Sequence, residues 1–429
     1  MVEYFGRSRG GGAMMPGLPE RAAARASGLA GMSRKRFLLA AGGMFGALSA
    51  GGVAAGMAGA SEGVLGYYGT PPNTTGTYVP EGASHLLRSD RPEVLSWGFL
   101  PNRDAEPVLA VRSGDLVTIE QISHEGILPD QGNPYDFFAS WDIPEADILD
   151  DQLMVFEEME QKGEGPHVVT GPVAIEDAEP GDILEVRCLE IVPRVYYGVN
   201  SARHGKGSLP EEYPLDGKPL YGNLLTFDLD RGVGLFPAGN GIEVPLKPFM
   251  GIVGVAPDTS EMVNSVPPDV YGGNLDVKRL MTAGSTAYYP VQVPGALLYT
   301  SDGHAAQGNG EVSLTAIETS QTPTFQVIVH KKDRLAEEGL PVLKNPWGET
   351  SDAWVVTGID EDLDAAMQEA VRETISFLTQ TRGLSREDAY SLASIAVDFE
   401  VSQVVDINKG VHAVVPKVLF PDGRACPTG

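Results

Sequence analysis

The sequence predicts a mainly β fold, a β-sandwich or barrel-like body with an αα-hairpin inserted in its C-terminal part. Three observations predict it. From about Tyr78 to His330, short β-rich runs alternate with Gly, Pro, Asn and Asp, the punctuation of an all-β domain. Two segments, Val111 to Ile119 and Ala178 to Val186, each place a Gly-Asp turn (Gly114-Asp115, Gly181-Asp182) before an alternating strand, so two related β-units are expected. Between about Glu361 and Thr381, Leu363, Met367, Ala370, Val371, Ile375 and Leu378 instead fall at helical spacing.

In chain order, residues 1–31 read as a disordered extension and 32–60 as an export signal. Ser33-Arg-Lys-Arg36 precedes an uncharged stretch from Phe37 to Ala60, which ends in the small-x-small site Ala58-Gly-Ala60. Its many glycines make it only weakly apolar, and a weakly apolar stretch behind basic residues resembles a twin-arginine signal. The expectation is therefore a periplasmic or extracellular protein without stable membrane association after cleavage. The alternative is an uncleaved N-terminal anchor, for which the stretch is long enough.

Residues 61–429 then form one domain. Within it, 128–166 and 202–243 are rich in Pro, Gly and acids without periodicity and read as long loops, which are often functional. The first helix ends at Gly383; Ser385 with Asp388 makes a capping-box-like start for a second, so the hairpin covers about 361–395. Val397 to Val401 and Val411 to Pro416 return the chain to the sheet.

Charge narrows the function. Residues 1–60 hold 7 Lys/Arg and 2 Asp/Glu, which leaves 24 basic against 56 acidic residues in the rest. So acidic a surface repels phosphate backbones and anionic headgroups, which excludes nucleic acid as a partner and disfavours a membrane surface. Cys188 and Cys426 are too few for a disulfide framework or a thiolate zinc site, so a metal must be held by His, Asp and Glu.

The chain lacks a P-loop, a G-x-S-x-G elbow, an H-E-x-x-H helix and a dinucleotide fingerprint. What remains are His and acids in Gly-rich turns. The densest run, Val293 to Glu311, sets Asp302, His304 and Glu311 among small residues, where backbone approaches a ligand closely. Three further clusters could converge on it: Ser123-His124-Glu125, Gly165-Pro-His167, and Gly272-Gly-Asn274-Leu-Asp276. Arg203-His-Gly-Lys206 is a basic island in an acidic chain, a candidate contact for substrate or another subunit. His85, His330 and His412 lack such a context and are taken as structural. These residue types suit hydrolysis in which a divalent ion lowers the pKa of water and a nearby Glu, Glu176 or Glu311, takes its proton.

Several long motifs then resemble the acetamidase/formamidase family, in the same order: Thr170 to Asp182, Pro248 to Pro257, Gly272 to Asp276, Val293 to Glu311, Ala396 to Asp406 and Lys409 to Ala413. The resemblance implies a mostly β, commonly homo-oligomeric enzyme that hydrolyses small linear amides to the acid and ammonia. Some relatives act on lactams, and zinc has been associated with members. Its motifs map onto Asp302, His304, Gln307 and Glu311, onto Asn274 and Asp276, and onto Thr170, Gly171 and Glu176. The expected assignment is a divalent metal, zinc by resemblance, held by some of His124, Asp302 and His304. Glu176, Glu311 and Asp276 are the expected catalytic acids; Asn274, Gln307, His167 and Arg203 are expected to contact substrate. The competing expectation is an exported, non-catalytic binding protein on the same fold, and it turns on whether the four clusters share one cavity.

Overall fold

The Gly114-Asp115 and Gly181-Asp182 turns are built alike in the computed structural model, which describes residues 84–237 and 241–421. Each glycine has a positive φ (98° and 92°), and each aspartate accepts a 2.9 Å hydrogen bond from the backbone N–H three residues earlier, at Arg112 and Glu179. The turns open the strands Leu116–Ile119 and Ile183–Pro193, which flank the same central strand, Gln321–His330, both antiparallel to it. The extension 1–31 and the export signal 32–60 lie outside the described residues, as does Cys426.

These three strands belong to a nine-stranded sheet that continues through Thr286–Pro290, Trp347–Glu349, Ala353–Asp360 and Lys409–Pro416 to Asp398–Gln403. A six-stranded sheet runs Gly272–Asn274, Phe249–Gly254, Leu298–His304, Val168–Ile175, Leu95–Trp97, with Leu109–Val111 added beside Val168–Ile175. One apolar core joins the two: Val117, Ile119, Leu184, Val186 and Phe325 from the first meet Val169, Val173, Ile252, Val253 and Leu298 from the second. A smaller four-stranded sheet includes Tyr197–Arg203 and Leu220–Asp228.

The period-2 alternation of Ala353–Asp360 sends neighbouring side chains to opposite faces. Val355 enters the inter-sheet core, while Val356 joins Phe377, Leu378, Ala389, Ala393, Ala413 and Val415 beneath two helices, Leu363–Arg382 and Arg386–Ala396. Asp362 and Ser385 cap them, accepting from the N–H groups of Ala365 and Asp388. The helices thus cover one end of the large sheet, and the polar cluster described next lies elsewhere, where the ends of both sheets come together.

Candidate metal centre and active site

Asp302 and His304 sit two residues apart on the strand Leu298–His304, so alternation places both on one face. The neighbouring strand supplies Gly251 between the pairs Met250–Gly303 and Ile252–Ser301. A Cβ at Gly251 would press on Asp302 Oδ2 and lie 2.7 Å from Asp276 Oδ1 and 2.9 Å from His304 Cε1. The missing side chain is therefore what keeps the space between these three groups open. Around it the fold gathers His124 from beyond Leu116–Ile119, His167 from the start of Val168–Ile175, Asp276 from beyond Gly272–Asn274, and Glu311, Glu318 and Asp406 from connecting segments. All are buried.

Two ligand sets stand out. His124 Nδ1 and His167 Nε2 lie 3.8 and 3.7 Å from Asp302 Oδ1, their rings edge to face at 5.0 Å. His167 is oriented from behind by Ser265 Oγ, 3.0 Å from its Nδ1. On the other side of Asp302, Oδ2 lies 3.0 Å from His304 Nε2, which is 3.2 Å from Glu318 Oε1. A third group joins His304 to Asp276, 3.7 Å from its Nδ1, and to Glu311. Asp302 Oδ1, His304 Nε2, Asp276 Oδ1 and the Asn274 side-chain oxygen have no hydrogen-bond partner despite their burial. Buried polar atoms are seldom left so. Donor atoms that converge unpaired are the arrangement a cation satisfies, so these His and carboxylate groups fit a divalent metal in chemistry and in spacing.

The electrostatics agree. Burial pushes both His124 and His167 down to about 4, so each is a neutral imidazole with a lone pair to donate. Burial also opposes charge on Asp302, but His304, which Glu318 and Asp302 hold above its ordinary pKa against burial, outweighs it and keeps it a carboxylate. Burial raises Asp276, Glu311, Glu318 (to about 8) and Asp406 (to about 7), with neighbouring carboxylates adding to it. Four of these five acids, Asp276, Asp302, Glu311 and Asp406, also have positive φ (49°, 57°, 44° and 67°), a backbone that costs a residue with a Cβ about 1–2 kcal/mol. Such outliers cluster where function holds them in place.

The sequence profile described as the Acetamidase/Formamidase family matches residues 157–265 and 259–422, more than half of the chain. The chain belongs to that family. It is an amidase. A formamidase from Methylophilus methylotrophus is 26% identical over 319 residues, which are 59% of this chain and 77% of that protein. Of solved structures, a predicted acetamidase/formamidase from Thermoanaerobacter tengcongensis aligns with a TM-score of 0.63 at 27% identity, covering 79% of this chain and 97% of that one. An acetamidase from Bacillus halodurans aligns at 0.62 with 28% identity over 78% and 98%.

In this amidase, His124, Asp276, Asp302, His304 and Glu311 come together as the sequence motifs suggested. His167 joins the metal-competent set with His124 and Asp302, where the sequence suggested substrate contact. Gln307 takes His304 Nδ1 at 2.9 Å, so it positions the imidazole. Two expected residues fall elsewhere. Glu176 follows the far end of the eight-residue strand that starts just after His167, roughly 30 Å away at 3.3 Å per residue, half exposed and facing Arg112 Nε at 3.4 Å. Arg203 spends its guanidinium on Asp130, on Glu125 Oε1 at 3.2 Å and on Ser201 Oγ at 2.8 Å. It buttresses the turn that carries His124 instead of standing free as a cation. His85, His330 and His412 pair with Asp115, Glu185/Glu338 and Ser402, outside the cluster.

Sequence reasoning missed Glu318, Gln403 and Asp406. Gln403 Nε2 reaches the Asn274 carbonyl (2.8 Å), Asp276 Oδ2 (3.0 Å) and Asp406 Oδ2 (2.9 Å), tying the C-terminal strands to the site. Gln403 and Asp406 lay inside a family-like stretch without a role. Glu318 had no Gly-rich turn to mark it.

Proposed function

We propose that the protein is a metal-dependent hydrolase that cleaves the C–N bond of small linear amides, giving a carboxylate and ammonia. The observation that carries this is the convergence of His124, His167 and unpartnered Asp302 Oδ1 in a family of amidases. These three residues would hold a divalent ion, for which their two neutral imidazoles and one carboxylate suit zinc. When bound, such an ion supplies Lewis-acid polarisation of the amide carbonyl and lowers the pKa of water.

The chain's own groups do the rest. Asn274 offers a buried, unpartnered side-chain oxygen as the acceptor for the amide N–H. Asp276 and Glu311 are neighbouring buried carboxyls that would share one proton; the ionised one, Asp276, takes up the proton released when water adds to the carbonyl carbon. Glu311, which burial and then Asp276 keep protonated well above the ordinary carboxylate range, returns a proton to the leaving nitrogen. That proton is needed because an amide anion leaves far too poorly. Gln307 and Phe249, the latter edge-on at 4.9 Å, fix the His304 ring beside them. Export through the 32–60 signal and assembly as a homo-oligomer belong to the same reading. The basic, uncharged and small-residue layout supports the first, and the family resemblance supports the second.

Purified mature chain assayed for ammonia from formamide, acetamide, propionamide and a γ-lactam, before and after chelation, tests the reading. Release from linear amides that chelation abolishes and zinc restores is expected. Release from the lactam alone would move the substrate class, and no release from any of them in metal-replete buffer would overturn the proposal.

A further inference from the structure

We infer that the cluster is a two-ion centre bridged by Asp302, with a second divalent ion held between Asp302 Oδ2, His304 Nε2 and Glu318 Oε1. The inference rests on the metal reading above and extends it to residues outside the His124–His167 pair.

The tautomer of His304 decides the matter. Gln307 Nε2 donates to the Ser402 carbonyl at 3.4 Å, which turns the amide oxygen towards His304 Nδ1, 2.9 Å away. Nδ1 therefore carries a ring proton and Nε2 is the nitrogen left to the carboxylates; without a metal Glu318 and Asp302 favour a second proton there, whose place a metal ion would take. Nε2 faces Asp302 Oδ2 at 3.0 Å and Glu318 Oε1 at 3.2 Å, with no well-formed hydrogen bond to either. Glu318 is held in this pose by the Ala316 N–H, 2.8 Å from Oε1, and by backbone pairing of Glu318 with both Val199 and His304. Two carboxyl oxygens and an imidazole nitrogen fixed so close in a buried site need a positive centre among them, and a single N–H on Nε2 cannot serve both oxygens where one metal ion would. Their spacing is that of neighbouring ligands on one ion: donors about 2.0–2.2 Å from a metal stand roughly 3.0–3.5 Å apart.

The bridging role follows from Asp302 itself. Its Oδ1 belongs to the His124–His167 set and its Oδ2 to the His304–Glu318 set, so one carboxylate serves both without moving. Asp302 holds this position with a positive φ (57°) inside its strand. The group of Asp276, His304 and Glu311 does not add a third ion, because it reaches His304 through Nδ1, which Gln307 already occupies. Those acids stay on the proton-handling side.

The test counts metal. Mature protein stripped by chelation and reloaded with Zn²⁺ alone is expected to retain two ions per chain by elemental mass spectrometry, and Glu318→Gln and His167→Asn one each. Loading with Co²⁺ reads the bridge: coupling between the ions should suppress the electron paramagnetic resonance signal in the wild type and return it in Glu318→Gln. The wild-type count does not depend on whether the variants fold. One ion per wild-type chain overturns this inference and leaves the hydrolase reading intact, whereas none overturns the metal reading itself. Two ions without coupling would overturn the Asp302 bridge.

Discussion

Two histidines in this fold each stand between two carboxylates, and they suit different occupants. His330 meets Glu338 through Nδ1 at 2.6 Å and Glu185 through Nε2 at 2.5 Å, so each ring N–H of an imidazolium finds an acceptor. Glu185, and after burial is offset Glu338, hold it above its ordinary pKa. His304 has its Nδ1 committed to Gln307, and its other nitrogen faces both Asp302 and Glu318 without a well-formed hydrogen bond. The residue types are the same, and carboxylates hold both rings above their ordinary pKa. At His330 each nitrogen has its own carboxylate; at His304 both carboxylates crowd Nε2, where one N–H cannot serve them both and a metal ion would.

The largest effect should come from removing the carboxylate common to both ligand sets. Asp302→Asn is expected to lower kcat/KM for a small amide by about 10³, the equivalent of about 4 kcal/mol of lost transition-state stabilisation, together with loss of bound metal. Ammonia release and elemental analysis check it, and a variant with wild-type turnover would show that the convergence around His304 is no more functional than that around His330.

Gly251→Ala probes the space itself without touching a polar group. The added methyl would collide with Asp302 Oδ2, Asp276 Oδ1 and His304 Cε1. Overpacking of this kind costs about 1–3 kcal/mol of stability, and activity should fall about 10–100-fold with metal content. At Gly222, where the nearest atom to an added Cβ is the Asn200 carbonyl oxygen at 3.6 Å, the same change should do neither. Equal effects at both positions would mean that the Gly251 cradle has no special role.

Much of this centre was legible in the sequence because its members sit in Gly-rich turns, where tight backbone leaves a visible signature. Asp302, His304, Glu311 and Asp276 were found that way, and the Gly114-Asp115 and Gly181-Asp182 turns fixed where two core strands begin. What was not legible depends on distance. His167 and His124 are 43 positions apart in numbering, yet they stack edge to face. Glu318 looks like any strand-edge acid until its backbone pairing with His304 is known. Glu176 illustrates the reverse error: it shares a motif with Thr170, but an eight-residue strand carries it to the far end of the sheet. Arg203 read as a free cation because its partners, Glu125 and Asp130, lie more than seventy residues earlier.

Acidity separates the two histidine sites more gently. In the metal-free protein Glu318 and Asp406 keep protons up to about pH 8 and 7, which the unfolded chain has lost above about pH 5. The folded state then binds more protons, so their contribution to stability declines as pH rises through this window. His124 and His167 act in the opposite sense: the unfolded chain protonates them below about 6.5, the fold not until about 4, so their contribution declines as pH falls between those values. The two effects offset one another up to about pH 6.5, and above it only the loss remains, so the Tm of chelated protein should fall from about pH 6.5 to about pH 8. Because metal ligands must be deprotonated, the rise in Tm on adding zinc should be larger at pH 8 than at pH 6. A zinc increment that is the same at both would contradict the carboxyl-rich centre.

The smallest effect is expected at His330. Its two pairs join the strand Gln321–His330 to Ile183–Pro193 and to the helix Leu335–Glu338, and partly solvated pairs of this kind contribute about 1 kcal/mol. His330→Ala should leave ammonia release unchanged and lower stability by about that amount. The sign of its pH dependence distinguishes it from the metal cluster: a histidine whose native pKa is raised stabilises fully below about 6.5, and loses that contribution as pH climbs through the native value. The gap between wild type and variant in urea unfolding should thus be present at pH 6 and close by pH 9. If the gap persists unchanged at pH 9, the imidazole is acting through packing against Tyr288, 6.4 Å away ring to ring, and not as the doubly paired cation that its two short hydrogen bonds describe.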